Sequence, residues 1–224
     1  MATDLHTLTE GLRRELAPVE SAIRSHLFLD RLESGALPEE RLRAFACEQN
    51  RILRSDRQSF AHLATRYPED PSRAFFLAME AGEGEALARL DRFAVTLGLS
   101  AQDLRAYEPQ PGCQAYPAFV AWLALNGSRL DVSLSFLVNL DAWGANCGRM
   151  QRALVDVYRL PEHALGFFGF FAGPPSRFRG EIAAVASAGI EAGDSAVAAR
   201  TAARHLQAYE LAFWDALASG SWIV

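Results

Sequence analysis

The chain has 224 residues, half of them hydrophobic, and a formal net charge of −5. All 22 basic residues are arginine, so lysine Schiff-base chemistry and a P-loop lysine are excluded, and without a basic block nucleic-acid binding has little support. No apolar run reaches the roughly 18 residues of a membrane span, and the N-terminus lacks a signal-peptide layout. We therefore expect a cytoplasmic protein that binds neither nucleic acid nor membrane.

The positions of cysteine and histidine argue against a disulfide framework and against a metal site. The cysteines are odd in number and far apart, with no CxxC pair, so we expect reduced thiols. The histidines include none of the close pairs that bind a metal on one helix face. The sequence therefore predicts no metal and no other cofactor. These residues are Cys47, Cys113, Cys147, His6, His26, His62, His163 and His205.

Helical periodicity runs through almost the whole chain, and no segment alternates with period two, which predicts an all-α protein. The first helical region covers about 8–32, and Pro18 is expected to start a second helix there after a short break. Pro38, followed by Glu39 and Glu40, predicts the start of a long helix that ends near Tyr67.

The long helix after Pro38 has an apolar face that two polar residues interrupt. Gln49 and Asp56 lie on the same stripe as Leu42, Phe45, Ile52, Phe60 and Leu63. The amide of Gln49 either bonds to a neighbouring helix or faces a pocket. The next helix covers about 71–98, and its Glu80 is a further pocket candidate, although Glu83 gives that side of the helix more polar company.

The second half of the chain follows a connection at 108–112. Tyr116-Pro117 is expected to open a helix that stops at Asn126-Gly127. The segment of about 129–159 is apolar all round, which predicts a central helix. On one of its faces lie Asn139, Trp143 and Asn146, which either cross-link helices or line a pocket.

Three further helices are expected before the C-terminus: a short one from Pro161 to about Phe171, then 176–192 and 195–218. Because the connections are short, we expect one antiparallel bundle, with residues 1–224 as a single domain.

Glu210 is the clearest candidate for chemistry. In a helix its neighbours are mostly apolar: Leu206, Phe213, Trp214 and Leu217. Such surroundings disfavour the charged form and raise the pKa, as in a general acid or base. Alternatively, the carboxylate reaches solvent past the aromatic residues or pairs with an arginine.

Three motifs together resemble the TenA/THI-4/PqqC family, which shares the haem-oxygenase-like all-α fold and includes thiaminase II. They are 26–38 (HLF followed by LESGALP), 115–117 (AYP) and 209–214 (YELAFW). The last is the most specific. The resemblance implies a helical bundle around a small-molecule pocket, and a homo-oligomer.

The family's functional residues match this chain only in part. The resemblance implies a catalytic role for Glu210 and a pocket role for Tyr116. Gln49 stands where the family has the aspartate that binds an aminopyrimidine, and Ile52 where it has a tyrosine. Asn139 stands where it has the nucleophilic cysteine. Since an amide cannot replace a thiolate, conventional thiamin hydrolysis is not expected.

A second branch of the same fold contains di-iron oxidases, whose ligands are also incomplete here. Glu80 resembles their first glutamate, but Leu87 stands at the position of the following histidine. Phe171, Pro175 and Phe178 stand where the HxxxDxxH segment is expected. Phenylalanine and proline cannot ligate iron.

Three functional classes therefore remain. The first is a metal-free enzyme that acts on an aromatic or heterocyclic metabolite, with Glu210 as its acid/base. The second is a non-catalytic binding or regulatory protein with the same pocket, and the third is a variant oxidase. The expected substrate-binding residues are Gln49, Tyr116, Asn139, Trp143, Phe45, Phe213 and Glu80.

Overall fold

A computed structural model describes residues 4–173 and 176–220, and every regular element in these ranges is helical, as predicted. The N-terminal residues 1–3, and Pro175 of the oxidase comparison, lie outside the described residues. The helices are α1 (Leu5–Arg24), α2 (Leu27–Glu33), α3 (Glu39–Arg66), α4 (Ser72–Thr96), α5 (Ala101–Ala106), α6 (Pro111–Asn126), α7 (Arg129–Asp156), a 3-10 turn (Glu162–Ala164), α8 (Gly166–Ala172), α9 (Ser176–Glu191) and α10 (Ala196–Ser219).

Local signals fix the ends of the long helices. Helix α3 begins directly after Pro38, with two glutamates at the positive end of its dipole. Helix α7 begins with a capping box, in which Ser128 and Asp131 each accept a hydrogen bond from the other's backbone N–H. Helix α10 ends at Gly220, whose φ of 62° is left-handed and suits glycine.

The expected break at Pro18 is wrong. Helix α1 runs through this proline, and the chain breaks at Ser25 and His26 instead. Pro18 is exposed, so the carbonyl that it leaves without a helical partner lies on the solvent side, where water replaces the lost bond. His26 caps the next helix, since its Nδ1 accepts a hydrogen bond from the N–H of Phe28 at 3.2 Å.

The expected helix start at Tyr116-Pro117 is also wrong. Helix α6 begins five residues before Tyr116, with Pro111 in its first turn, where a missing N–H costs nothing. Pro117 therefore lies inside the helix. The short helix α5 was not expected from periodicity, because only Leu104 of its residues is buried.

Helix α7 is the centre of the bundle, and it packs against α10, α9, α8, α1 and α2. Helices α3 and α4 pair closely along their length, and α6 packs on α3 and α10. Fully buried aromatic side chains fill the middle, among them Phe28, Phe45, Phe168 and Trp214. An open space remains between α3, α4, α7 and α10. Within the described ranges, no helix is long and apolar enough to cross a membrane.

Candidate active site

An internal cavity of about 440 Å³ lies between the long helices, large enough for a small metabolite. Most of its wall is apolar, and its polar groups come from α3, α4, α6, α7 and α10. Its lining residues include Gln49, Ile52, Leu53, Asp56, Met79, Glu83, Tyr116, Phe136, Asn139, Leu140, Trp143, Phe170, Phe171, Phe178, Glu210 and Phe213.

Glu210 on α10 is a deeply buried carboxyl group of this cavity. Only 3% of the residue is exposed. Trp214 Nε1 donates a hydrogen bond to Oε1 at 3.3 Å, and Asn139 Nδ2 donates a short one to Oε2. Burial raises the pKa of Glu210 to about 7, and the two hydrogen bonds offset part of that effect. At neutral pH, Glu210 is therefore divided between its acid and carboxylate forms.

Asn139 and Gln207 hold this carboxyl in place. The Nδ2 group of Asn139 also donates to Gln207 Oε1 at 3.0 Å, and Gln207 Nε2 donates to the carbonyl of Val138 at 3.5 Å. All of these groups are buried, so each bond forms in a medium of low dielectric. The position where the resemblance placed a nucleophile thus carries an amide that orients the glutamate.

Aromatic rings form one wall of the cavity. Trp143 packs edge-on against Phe171 at 5.8 Å between ring centroids and against Phe213 at 6.2 Å. Behind Trp143, on the core side, Phe45 stacks on its ring with an interplanar angle of 13°. A flat aromatic ligand would find both ring faces and ring edges here.

Tyr116 and Gln49 lie on further sides of the same cavity. Burial raises the pKa of Tyr116 well above its usual value, and the charges of Asp56, Glu210 and Glu83 raise it further. The phenol therefore keeps its proton and is a hydrogen-bond donor for a ligand.

Six of the eight residues expected at the site line the cavity, and two do not. The lining residues are Gln49, Tyr116, Asn139, Trp143, Phe213 and Glu210. Phe45 is fully buried behind Trp143, because its position on the α3 stripe points into the core. Glu80 lies on the outer side of α4, where Arg57 Nε donates to its Oε1 at 2.6 Å.

A second group of carboxyls in the cavity was not expected from the sequence. Asp56 of α3 and Glu83 of α4 both line it, and the pKa of each is raised well above its usual value. Burial is the main cause, and the neighbouring charge of Asp56 adds to the shift of Glu83. The signal in the sequence was the break that Asp56 makes in an apolar stripe. The sequence does not indicate Glu83 as its partner, because the two residues come together only through the packing of α4 against α3.

The cavity opens to solvent between α4 and α9. At its mouth lie the exposed residues Ala78, Ala81, Glu85, Arg177 and Glu181. Arg177 and Glu181 are one helical turn apart and approach each other to 3.6 Å. A ligand would pass this charged rim before it reaches the aromatic wall.

The cysteines of the chain are buried and free, and none of them lines the cavity. Burial raises the pKa of the Cys47 thiol to about 11, and it also raises the pKa of Cys113 and Cys147. Cys147, two helical turns after Asn139 on α7, is thus a protonated thiol in the core. Among the described residues, no group of three or more side chains could hold a metal ion.

The family model described as "TENA/THI-4/PQQC family" matches residues 13–159. No curated protein sequence matches the chain. Solved structures resemble it over nearly its whole length. A TenA homologue from P. horikoshii OT3 is 19% identical, with a TM-score of 0.76, and the match covers 96% of this chain and 99% of the other.

Two further structures have the same fold at lower identity. One, from Shewanella denitrificans OS217, is described as a domain of unknown function with a heme oxygenase-like fold. It is 13% identical, with a TM-score of 0.73, and the match covers 98% of this chain and 94% of the other. The other, from Sulfolobus solfataricus P2, is described as a candidate TenA-like thiaminase. It is 13% identical, with a TM-score of 0.63, and covers both chains fully. At these identities, the likeness shows the fold.

Proposed function

The chain belongs to the TENA/THI-4/PQQC family, and from that premise we propose that it is a metal-free enzyme acting on a small aromatic or heterocyclic metabolite. Glu210 is the general acid/base of this proposal. Tyr116 and Gln49 position the substrate by hydrogen bonds, and Trp143 and Phe213 contact its ring. Asn139 is a positioning residue that acts through Glu210.

The observation that carries the proposal is the state of Glu210. A general acid works best when its pKa lies close to the operating pH, because both protonation states are then accessible. Burial in the cavity raises the pKa of Glu210 to about 7. The carboxyl also lies on the lining of a cavity that can take a ligand. A buried structural glutamate would not need that access.

In the proposed reaction, Glu210 donates its proton to a nitrogen or oxygen of the substrate as a bond to that atom breaks. The resulting carboxylate keeps two donors, the Nδ2 group of Asn139 and the indole N–H of Trp214. Hydrogen bonds to a charged acceptor are about twice as strong as those to a neutral one, so both donors stabilise the developing charge. A water molecule that attacks the substrate would return a proton to Glu210.

The same geometry argues against a thiolate mechanism. Asn139 lies where the resemblance placed the cysteine, and its amide group is bonded to Glu210 and Gln207. An amide is not a nucleophile. The reaction proposed for this chain therefore uses acid/base chemistry and water instead of a covalent intermediate on sulfur.

The test begins with ligand discovery, since Trp143 lies on the cavity and reports binding through its fluorescence. Compounds that bind, drawn from a panel of aromatic and heterocyclic amines and amides, are then incubated with the protein and followed by mass spectrometry. We expect Glu210→Gln to lower kcat by about 10²- to 10⁴-fold while binding is kept.

Asp215→Asn is the matched control, because Asp215 is on the same helix and its carboxyl bonds to His26 outside the cavity. We expect this variant to keep full activity. Equal turnover by Glu210→Gln and the wild type would overturn the proposed role of Glu210. Ligands that bind tightly and are never converted would favour a binding protein.

A further inference from the structure

We propose that Asp56 and Glu83 form a cation subsite in the cavity, which binds an ammonium or amidinium group of the ligand. The inference rests on the proposed function and narrows it: the substrate would be a ring compound that carries a basic nitrogen. Glu210 would act on one part of this compound while the carboxyl pair holds another.

The pairing of α3 and α4 places the two carboxyls together. On the outer side of this pair, Arg57 bonds to Glu80 at 2.6 Å. Gly84 of α4 lies beside the Arg57 guanidinium, since a Cβ on this glycine would be 3.5 Å from it. The preceding residue on each helix of this contact, Asp56 on α3 and Glu83 on α4, faces the cavity instead.

Both carboxyls have an oxygen without a partner. Asp56 is only 3% exposed, and its Oδ1 is buried with no hydrogen bond. Glu83 is partly exposed as a residue, but its Oε2 is buried and also has no hydrogen bond. A buried polar atom without a partner destabilises the fold, and more so if it is charged. Because both residues line the cavity, a ligand in it can supply donors to their carboxyl groups.

The described residues supply no cation to this pair. Arg57 is held on the outer side by Glu80, and Arg177 lies at the mouth near Glu181. The other titratable groups that face the cavity are Glu85 of α4, Tyr116 of α6, Glu210 of α10, and Arg177 and Glu181 of α9. The inner ones are acids. A cationic ligand would therefore meet an environment that is already negative or able to become so.

An organic cation fits better than a metal ion. The described residues offer no third ligating side chain beside the pair. An amidinium presents several N–H donors in one plane, which match carboxylate oxygens, and its attached ring could lie against Trp143. The apolar wall beside the pair favours the organic group as well.

Proton release would accompany this binding. In the empty cavity, burial raises the pKa of both carboxyls well above the usual values, which favours their protonated forms. A bound cation favours the charged form and expels a proton. The affinity for a cationic ligand should therefore rise with pH, whereas the affinity for a neutral one should not.

The experiment compares benzamidine with benzamide, which is close to it in shape but neutral. Isothermal titration at pH 8 should give at least about tenfold tighter binding of benzamidine. Titrations in phosphate and in Tris should show the release of about one proton for benzamidine only. The full chain is used throughout, and circular dichroism verifies that each variant is folded.

Two variants test the pair, and two others serve as controls. Glu83→Gln and Asp56→Asn should each bring the preference for benzamidine below about threefold. Glu80→Gln, one helical turn away on α4 and outside the cavity, should keep it. Turnover by Glu210→Gln is measured separately, so that a failure of the catalytic proposal is distinguishable: an active Glu210→Gln enzyme, beside a wild-type preference that depends on Glu83, would overturn the role of Glu210 alone.

Three results would overturn the cation subsite. One is the absence of benzamidine binding at millimolar concentration. A second is an equal affinity for the two compounds, or a preference that survives in both folded variants. The third is stoichiometric displacement of benzamidine by Mn²⁺ or Zn²⁺ that depends on Glu83, which would make the pair a metal site.

Discussion

Helix α3 carries buried carboxyl groups in two contrasting regions. In the first half of the helix, Glu48 is 1% exposed, and its Oε1 accepts hydrogen bonds from the Tyr107 hydroxyl and the Gln110 N–H, both at 2.8 Å. Two turns further on, Asp56 is equally buried and has an unpaired oxygen beside Glu83. Glu48 thus fastens the segment before α6 to the core, whereas Asp56 faces a cavity. Burial alone does not distinguish these two acids; the hydrogen-bond donors around Glu48 and the unpaired oxygen of Asp56 do.

The pKa shifts of the two regions have the same direction and different consequences. Burial raises the pKa of Glu48, and its hydrogen bonds to Gln110 and Tyr107 offset part of that shift. For Asp56, no hydrogen bond opposes the effect of burial. Donors from the protein itself stabilise the carboxylate of Glu48. The carboxylate of Asp56 would be stabilised by donors from a ligand.

The largest expected change in stability comes from substituting Glu48. Glu48→Ala should lower the free energy of unfolding by about 2–4 kcal/mol, because it leaves the buried N–H of Gln110 and the partly buried hydroxyl of Tyr107 without an acceptor. Chemical denaturation at pH 7 measures this loss. The exposed Glu40, on the same helix, is the control, and Glu40→Ala should cost less than about 1 kcal/mol. If Glu48→Ala unfolded at the same denaturant midpoint as the wild type, the contrast between Glu48 and Asp56 would be lost.

The opposite result is expected for the cavity. Glu83→Gln should raise the free energy of unfolding at pH 8 by about 1 kcal/mol and should have little effect at pH 4. Burial raises the pKa of Glu83 in the folded state. The stability that Glu83 costs is therefore zero below its pKa in the unfolded chain. This cost grows as the pH rises towards its pKa in the folded protein. Denaturation curves at several pH values measure the difference, with Glu80→Gln as the control. A loss of stability at pH 8 would mean that Glu83 is a structural acid like Glu48.

The smallest effect concerns thiamin. The wild-type protein should show no thiaminase activity above background, because the cavity offers no thiolate and Gln49 cannot form a charge-assisted bond to the aminopyrimidine ring. Asn139→Cys combined with Gln49→Asp should give a trace of activity, and each single change none, since such residues act as a unit. Product analysis with thiamin and with its free aminopyrimidine provides the assay. Robust turnover of either compound by the wild type would contradict this expectation.

Much of the fold was predictable because its signals are local. The start of α3 after Pro38 and the end of α6 at Gly127 follow from single residues. The proline inside α1 was misjudged because its tolerance depends on which side of the helix faces solvent. The exposed side of α1 is set by the packing of the whole bundle, so the residues around Pro18 do not predict it.

The cavity was predictable one helix at a time. Glu210 stood out because its own helix surrounds it with apolar neighbours, and Gln49 because it interrupts a stripe. Glu80 and Glu83 are only three residues apart, and periodicity could not decide which of them faces the cavity. The register of α4 against α3 decides it: Arg57 takes Glu80 on the outside, and Glu83 remains on the inside.

The central claim is that the cavity holds Glu210 as a carboxyl group that titrates near neutral pH. A carbon-13 NMR titration of the glutamate side-chain carboxyls, compared between the wild type and Glu210→Gln, measures this directly. We expect one resonance, missing in the variant, with a midpoint of about 7. A midpoint near the ordinary glutamate value of about 4.3 would contradict it.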